Sequence, residues 1–188
     1  YNSDLVRGQD KIALIDANKG TVAQTFLDTL GQAVEPAAID YIILNHMEPD
    51  HSSALPELLA ACPDAQVVLT RPGKTFAENI ANRKLDPLVV AEPTRIDLGG
   101  RTLVCMPAPF LHWPDTMFTY CEEEGVLFPC DFLGAHLCDE RMFNDLVDNH
   151  DFAFRHYFQA IMRPFKDKIR EAVAKVEGLE LDMICPSH

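Results

Sequence analysis

The chain has 188 residues, 47% of them hydrophobic and 24% charged, with a formal net charge of −13. That size and balance fit one soluble globular domain with a real core. The acidity argues against sequence-independent nucleic-acid binding and against docking on anionic membranes, both of which need clustered Lys and Arg.

KIALIDAN (11–18) reads as a buried strand, and TVAQTFLDTLGQAV (21–34) as a helix with Val22, Phe26, Leu27 and Leu30 on one face. YIILN (41–45) is a second strand that runs directly into NHMEPDH (45–51). SSALPELLAAC (52–62) reads as a helix with Ser53 as its N-cap and Pro56 in the first turn. QVVLT (66–70), RPGKTFAENIANR (71–83) and PLVVAEP (87–93) give a strand, a helix and a short strand. After Gly99-Gly100 the pattern changes to a meander of three strands in RTLVCMPAP, TMFTYCEE and GVLFPCD, with Glu122–Glu124 in a solvated hairpin turn. A long helical pattern spans about 151–176, interrupted near Pro164, and LDMICPSH (181–188) is a final strand ending on a histidine. The order favours an α/β sandwich, with sheets inside and helices outside, over a doubly wound sheet. There is no G-x-G-x-x-G fingerprint and no P-loop, so nothing points to a nucleotide.

No apolar run reaches the ~18 residues of a membrane-spanning helix, and no secretory leader opens the chain. The six cysteines lie outside any C-x-x-C pair, several of them inside strand-like runs. They read mostly as small buried hydrophobes of a reducing, cytoplasmic protein. Tyr1 at the start and His188 at the end suggest a piece of a longer chain, cut at both ends.

The stretch at 46–51 carries His46, Glu48, Asp50 and His51. Four good ligand types in six residues, on the loop that leaves a strand, suggest a metal site held by a rigid sheet. The first three fall at alternate positions and would point one way from an extended segment. Adjacent Asp50 and His51 would have to diverge, which suits two ions side by side. Three more candidates follow later apolar strands: His112 in PFLHWPD, Asp131 in FPCDFLG, and His188. Taken singly, each is equally a capped turn, a packed histidine or a terminus; their shared place at strand ends links them to the first cluster.

The stretches IDYIILNHMEPDHSSALPEL, APFLHWPDTMFTY, LFPCDFLGAH and DMICPSH resemble the metallo-β-lactamase-like domain of flavodiiron proteins, over nearly the whole chain. H-x-E-x-D-H together with LHWPD is specific to that family, whereas the related zinc hydrolases carry H-x-H-x-D-H. The resemblance implies an αββα sandwich and a non-haem diiron centre. It implies one iron on His46, Glu48 and His112, a second on Asp50, His51 and His188, and Asp131 between them. Family members differ in whether the equivalent of His51 binds. The implied activity is reduction of O₂ to water or of NO to N₂O, with electrons from FMN and a rubredoxin-like donor. In the family the FMN lies on a flavodoxin-like domain, absent from this chain, and a head-to-tail homodimer brings it to the irons of the other subunit.

Charge gives a reason for Glu48. Three carboxylates (−3), two divalent ions (+4) and a bridging oxo or hydroxo group counted as hydroxide (−1) sum to zero for the seven implied ligands. Carboxylate oxygen suits iron that cycles to the ferric state, whereas a zinc hydrolase gains from a more positive site. His136 in FLGAH matches a family histidine near the substrate and could supply a proton, or simply pack. Tyr157 could place a phenol near the irons, or be core. Two other readings compete: an O₂-binding diiron sensor without flavin, and a dinuclear zinc hydrolase.

Overall fold

The computed structural model describes residues 1–141 and 143–188. Two five-stranded sheets stack face to face with helices on both outer surfaces, an αββα sandwich as the sequence leads one to expect. The first sheet has the order β1 (Asp4–Arg7), β2 (Ile12–Ile15), β3 (Tyr41–Ile43), β4 (Gln66–Thr70), β5 (Leu88–Val90). Strands β2 to β5 run parallel and β1 antiparallel to β2. Helices α1 (Ala23–Ala33), α2 (Pro49–Ser52), α3 (Leu55–Ala61) and α4 (Arg71–Ala81) make the crossovers. The second sheet has the order β10 (Met183–Pro186), β9 (Val126–Cys130), β8 (Met117–Cys121), β7 (Thr102–Pro107), β6 (Thr94–Asp97). Its neighbours pair antiparallel except β10, which runs parallel to β9. Between β9 and β10 lie α5 (His150–Tyr157), a π-helical segment (Phe158–Met162), a 3-10 turn (Arg163–Phe165) and α6 (Lys166–Val176).

Strand alternation sorts the apolar residues into three layers. Leu14, Ile42, Leu44, Val67 and Leu69 face α1, α3 and α4. Their neighbours Ala13, Ile15, Ile43 and Val68 face the other sheet, where Leu103, Cys105, Met117, Cys121 and Phe128 meet them. Val104, Met106, Phe118, Tyr120 and Leu127 point outward beneath α5 and α6. Both faces of the central strands are therefore buried, which is why they read as continuous apolar runs. Each of Ile42, Ile43 and Leu44 is at most 1% exposed, and each contributes about 1.5–3 kcal/mol of burial.

Three details differ from the sequence reading. Ser53 does not cap α3: it ends α2, its hydroxyl donating to the Pro49 carbonyl and accepting from the Gly20 amide. Pro49 starts its own helical turn, so the chain breaks between α2 and α3 instead of running as one helix. The edge strands β1 and β6 also escape the pattern, because DLVR and TRID each bury only one residue well. Among the described residues all six cysteines are free, and no helix is long and apolar enough to cross a membrane.

Candidate metal centre

The site lies where β2, β3, β9 and β10 end and where the loop after β7 returns. Its base is set by Asn45, fully buried at the end of β3. The Asn45 amide donates to Asp16 Oδ1 (2.7 Å) and its side chain donates to the Phe128 carbonyl (3.0 Å). Its Oδ1 accepts from the Thr119 hydroxyl (2.8 Å), and its carbonyl from the Met117 amide (2.9 Å). One residue thus ties the first sheet to β8 and β9 and sets the height of His46 against Asp131.

His46 and Glu48 leave β3 on extended backbone, and Pro49 then starts the short helix that carries Asp50 and His51. The Ser52 hydroxyl closes the turn onto the Met47 and Glu48 carbonyls (2.9 and 2.8 Å). The sequence reading of three alternating side chains on an extended segment holds only for His46 and Glu48. Asp50 and His51 do not diverge: in a helical turn their tips come together, Asp50 Oδ2 lying 3.4 Å from His51 Nε2. Cys130, left-handed at φ +51°, turns the chain at the end of β9 and places Asp131 inside. Gly134 lets this turn approach His188, since a Cβ there would lie 3.1 Å from the Asp131 carbonyl and 3.3 Å from that of His188.

All seven candidates meet in one place. His46, Glu48, His112 and Asp131 form one group of convergent donor atoms, and Asp50, His51 and His188 a second. Asp131 stands between them. Its Oδ2 is 3.6 Å from His46 Nε2 and 3.1 Å from His112 Nε2. Its Oδ1 is 2.8 Å from His51 Nε2 and 3.2 Å from His188 Nε2. Glu48 Oε2 lies 3.1 Å from His112 Nε2, and Asp50 Oδ2 lies 3.5 Å from His188 Nε2. His51 is turned into the group.

The buried polar atoms are not satisfied by one another. His46 Nε2, His51 Nε2, His51 Nδ1 and Asp50 Oδ1 are buried without a hydrogen-bond partner. His51 Nε2 is close to Asp131 Oδ1 yet misaligned for a hydrogen bond, as expected of two donor atoms that aim at a shared third point. Buried polar atoms rarely stay unpaired, so a chelated cation on each side of Asp131 fits this donor set.

The electrostatics of the metal-free site agree. Burial would raise the Asp131 pKa, but the imidazoles of His112, His188 and His51 around it hold it well below the usual carboxylate range. Burial opposes charge on His46, but the carboxylates of Asp115 and Glu48 beside its two ring nitrogens push its pKa up to about 10. His51 is raised against the same opposition by Asp131, and Glu48 is lowered by His46 despite its own partial burial. The site thus favours positive charge at His46 and His51, beside the carboxylates.

His136 is exposed, its ring 4.8 Å from that of His188 and 4.7 Å from that of Tyr157. Burial and the nearby His188 lower its pKa. Tyr157 is buried in the third apolar layer, and burial raises its phenol. It is core and site neighbour at once, 5.8 Å from the His188 ring. Trp113 packs edge-on against His46 (5.3 Å). Asn45, Asp16 and Asp115 received no role from the sequence. Asp16 is buried at φ +57°, with its pKa pushed up to about 6 by burial. Their contacts span up to 83 positions, which no local pattern encodes.

A sequence model of one protein family, described as "ODP family beta lactamase", matches residues 1–188. The chain belongs to the ODP family. This ODP domain is 38% identical over 193 residues to the flavo-diiron protein FprA2 of Clostridium acetobutylicum, covering all of this chain and 48% of that protein. It is 38% identical over 197 residues to the anaerobic nitric oxide reductase flavorubredoxin of Salmonella arizonae, covering all of this chain and 40% of that protein. The solved rubredoxin oxygen:oxidoreductase of the anaerobe Desulfovibrio gigas superposes with a TM-score of 0.93 at 30% identity, covering all of this chain and 48% of that one. The ODP domain thus spans about half the length of these relatives or less.

Proposed function

We propose that this domain holds a non-haem diiron centre that reduces O₂ to water or NO to N₂O, within a protein that supplies electrons through FMN located outside these residues. The observation that carries the reading is the doubled donor set around Asp131, with one carboxylate oxygen directed to each group of ligands. His46, Glu48 and His112 would hold one ion, and Asp50, His51 and His188 the other, with Asp131 shared by the two groups and an oxo or hydroxo group completing the pair. Iron held there would supply open coordination positions and the electrons for reducing a diatomic substrate.

The protein's own part is to hold, shield and supply protons. Trp113 and the apolar layers below close the inner side of the centre. Glu48 and Asp50, with side chains 34% and 18% exposed, line its open side and offset the charge that grows on oxidation. His136 takes protons from solvent at its ring nitrogens, and the Tyr157 hydroxyl stands next in line. The lowered pKa of His136 keeps its imidazole neutral near pH 7 and therefore able to accept. The names of the Salmonella and Desulfovibrio relatives support NO and O₂ as substrates and a rubredoxin-like donor. A head-to-tail homodimer of the parent protein would bring its flavin to the centre.

The test is iron content and the optical spectrum of the purified protein under anaerobic conditions and in air, followed by O₂ uptake and N₂O formation with a flavin reductant. Two irons per chain with an oxygen-dependent spectrum are expected. Zinc binding with ester or lactam hydrolysis, and no iron, would refute the reading. Stable O₂ binding without turnover would move it to a sensor.

A further inference from the structure

Asp115 follows Trp113 and Pro114 in the loop after β7 and is 1% exposed. Its Oδ2 accepts from the Met47 amide (2.7 Å) and lies 3.3 Å from His46 Nδ1. Its carbonyl accepts from the Thr70 hydroxyl (2.8 Å), which also receives the Gly73 amide at the start of α4. Its Oδ1 is buried with no partner. Anchoring Met47 requires only a neutral acceptor, so the backbone contact does not account for a buried carboxylate with one oxygen idle. What accounts for it is the far side of the imidazole. His46 Nε2 is the atom aimed at Asp131 and Glu48, and a cation there would draw electron density through the ring from a carboxylate on Nδ1.

We propose that Asp115 is a positioning residue for the first metal. It fixes His46 with Nδ1–H donated to Oδ2 and Nε2 free for the ion, and it makes that nitrogen a stronger donor. The same side chain and backbone hold the loop that carries His112, so one residue bears directly on two ligands of one ion and touches no ligand of the other. This rests on the metal-centre reading above. Carboxylate partners of ligating histidines typically change metal affinity about 10–100-fold when removed, and the effect here falls on one of two sites.

The experiment is a Co²⁺ titration of the metal-free wild-type protein and of Asp115→Asn, in competition with a chelator, with thermal unfolding of both metal-free forms. The Asn side chain can keep the Met47 bond. Expected are two binding steps in the wild type, with one of them weakened about 10–100-fold in the variant and the metal-free unfolding temperature nearly unchanged. Unaltered affinity in both steps, or equal weakening of both, would overturn the proposal. Absence of two-step binding in the wild type would instead sink the metal-centre reading. Nitrogen NMR of Zn²⁺-loaded wild type needs no variant: it should show His46 protonated at Nδ1 and metal-bound at Nε2. An unprotonated or metal-bound Nδ1 would overturn the role of Asp115.

Discussion

Asn45→Ala tests whether the join between the sheets sets the site. The substitution removes two buried side-chain hydrogen bonds, to the Phe128 carbonyl and from the Thr119 hydroxyl. A buried polar group left unpaired costs about 1–3 kcal/mol. The Phe128 carbonyl loses its side-chain donor at the base of the site. Thr119 can turn its hydroxyl toward Cys105 Sγ, 3.9 Å away, so its share falls at the low end. The sum is about 2–4 kcal/mol, a large part of the ~5–15 kcal/mol of a typical domain. Urea unfolding of the metal-free protein measures it, with the slope expected to stay constant because the surface exposed on unfolding hardly changes. Metal titration of the folded variant should also show lower affinity, since Asn45 precedes His46 directly and Phe128 lies on the strand that delivers Asp131. A loss under about 1 kcal/mol, set against that range, together with unchanged metal affinity, would show that the sheets are aligned by their apolar layers alone.

Glu48→His should weaken ferric iron binding more than ferrous, because the carboxylate offsets charge that grows on oxidation; equal losses by competition titration in the two states would contradict this. Tyr157→Phe should keep metal content and fold, yet slow substrate reduction about 10²-fold if its hydroxyl supplies the proton; unchanged turnover would return Tyr157 to the core alone. In the metal-free protein His46 has its pKa raised from 6.5 to about 10. Its stabilising contribution is therefore complete below pH 6.5 and lost as pH rises through about 10. Because a metal must displace that proton, affinity at this site should rise about tenfold per pH unit toward pH 10 and then level off. Flat affinity across that range would show that His46 is not a ligand.

The central strands and the convergence of the candidate donors were legible because both are written locally. Ile42, Ile43 and Leu44 are apolar on consecutive positions since both sheet faces are covered, and the candidate donor residues cluster at strand ends. The fold-level clue in β1 and β6 was weak because edge strands bury one residue each and owe their place to pairing. Pro49 hid its meaning: it reads as a turn residue, yet it makes the helical step that brings Asp50 and His51 together. Asn45, Asp16 and Asp115 stayed silent for another reason. Each is a common polar residue whose partner lies far along the chain, and only the stacked sheets bring the two together. Left-handed Asp16, Phe110, Cys130 and Leu133 were equally hidden, because sequence favours glycine at such positions.

His188 arrives on β10, the strand that pairs parallel with β9 only after the whole α5–α6 excursion has been made. The candidate donors of the first group are all present once Asp131 has been synthesised, while the second group waits for β10. At roughly 5–20 residues per second on the ribosome, that gap lasts on the order of several seconds. Over that interval Asp131 Oδ1 and His51 lack the His188 side chain that stands beside them in the finished fold. If the two groups hold metal as proposed, this topology would let the first be filled before the second exists, and early metal supply would favour half-filled protein.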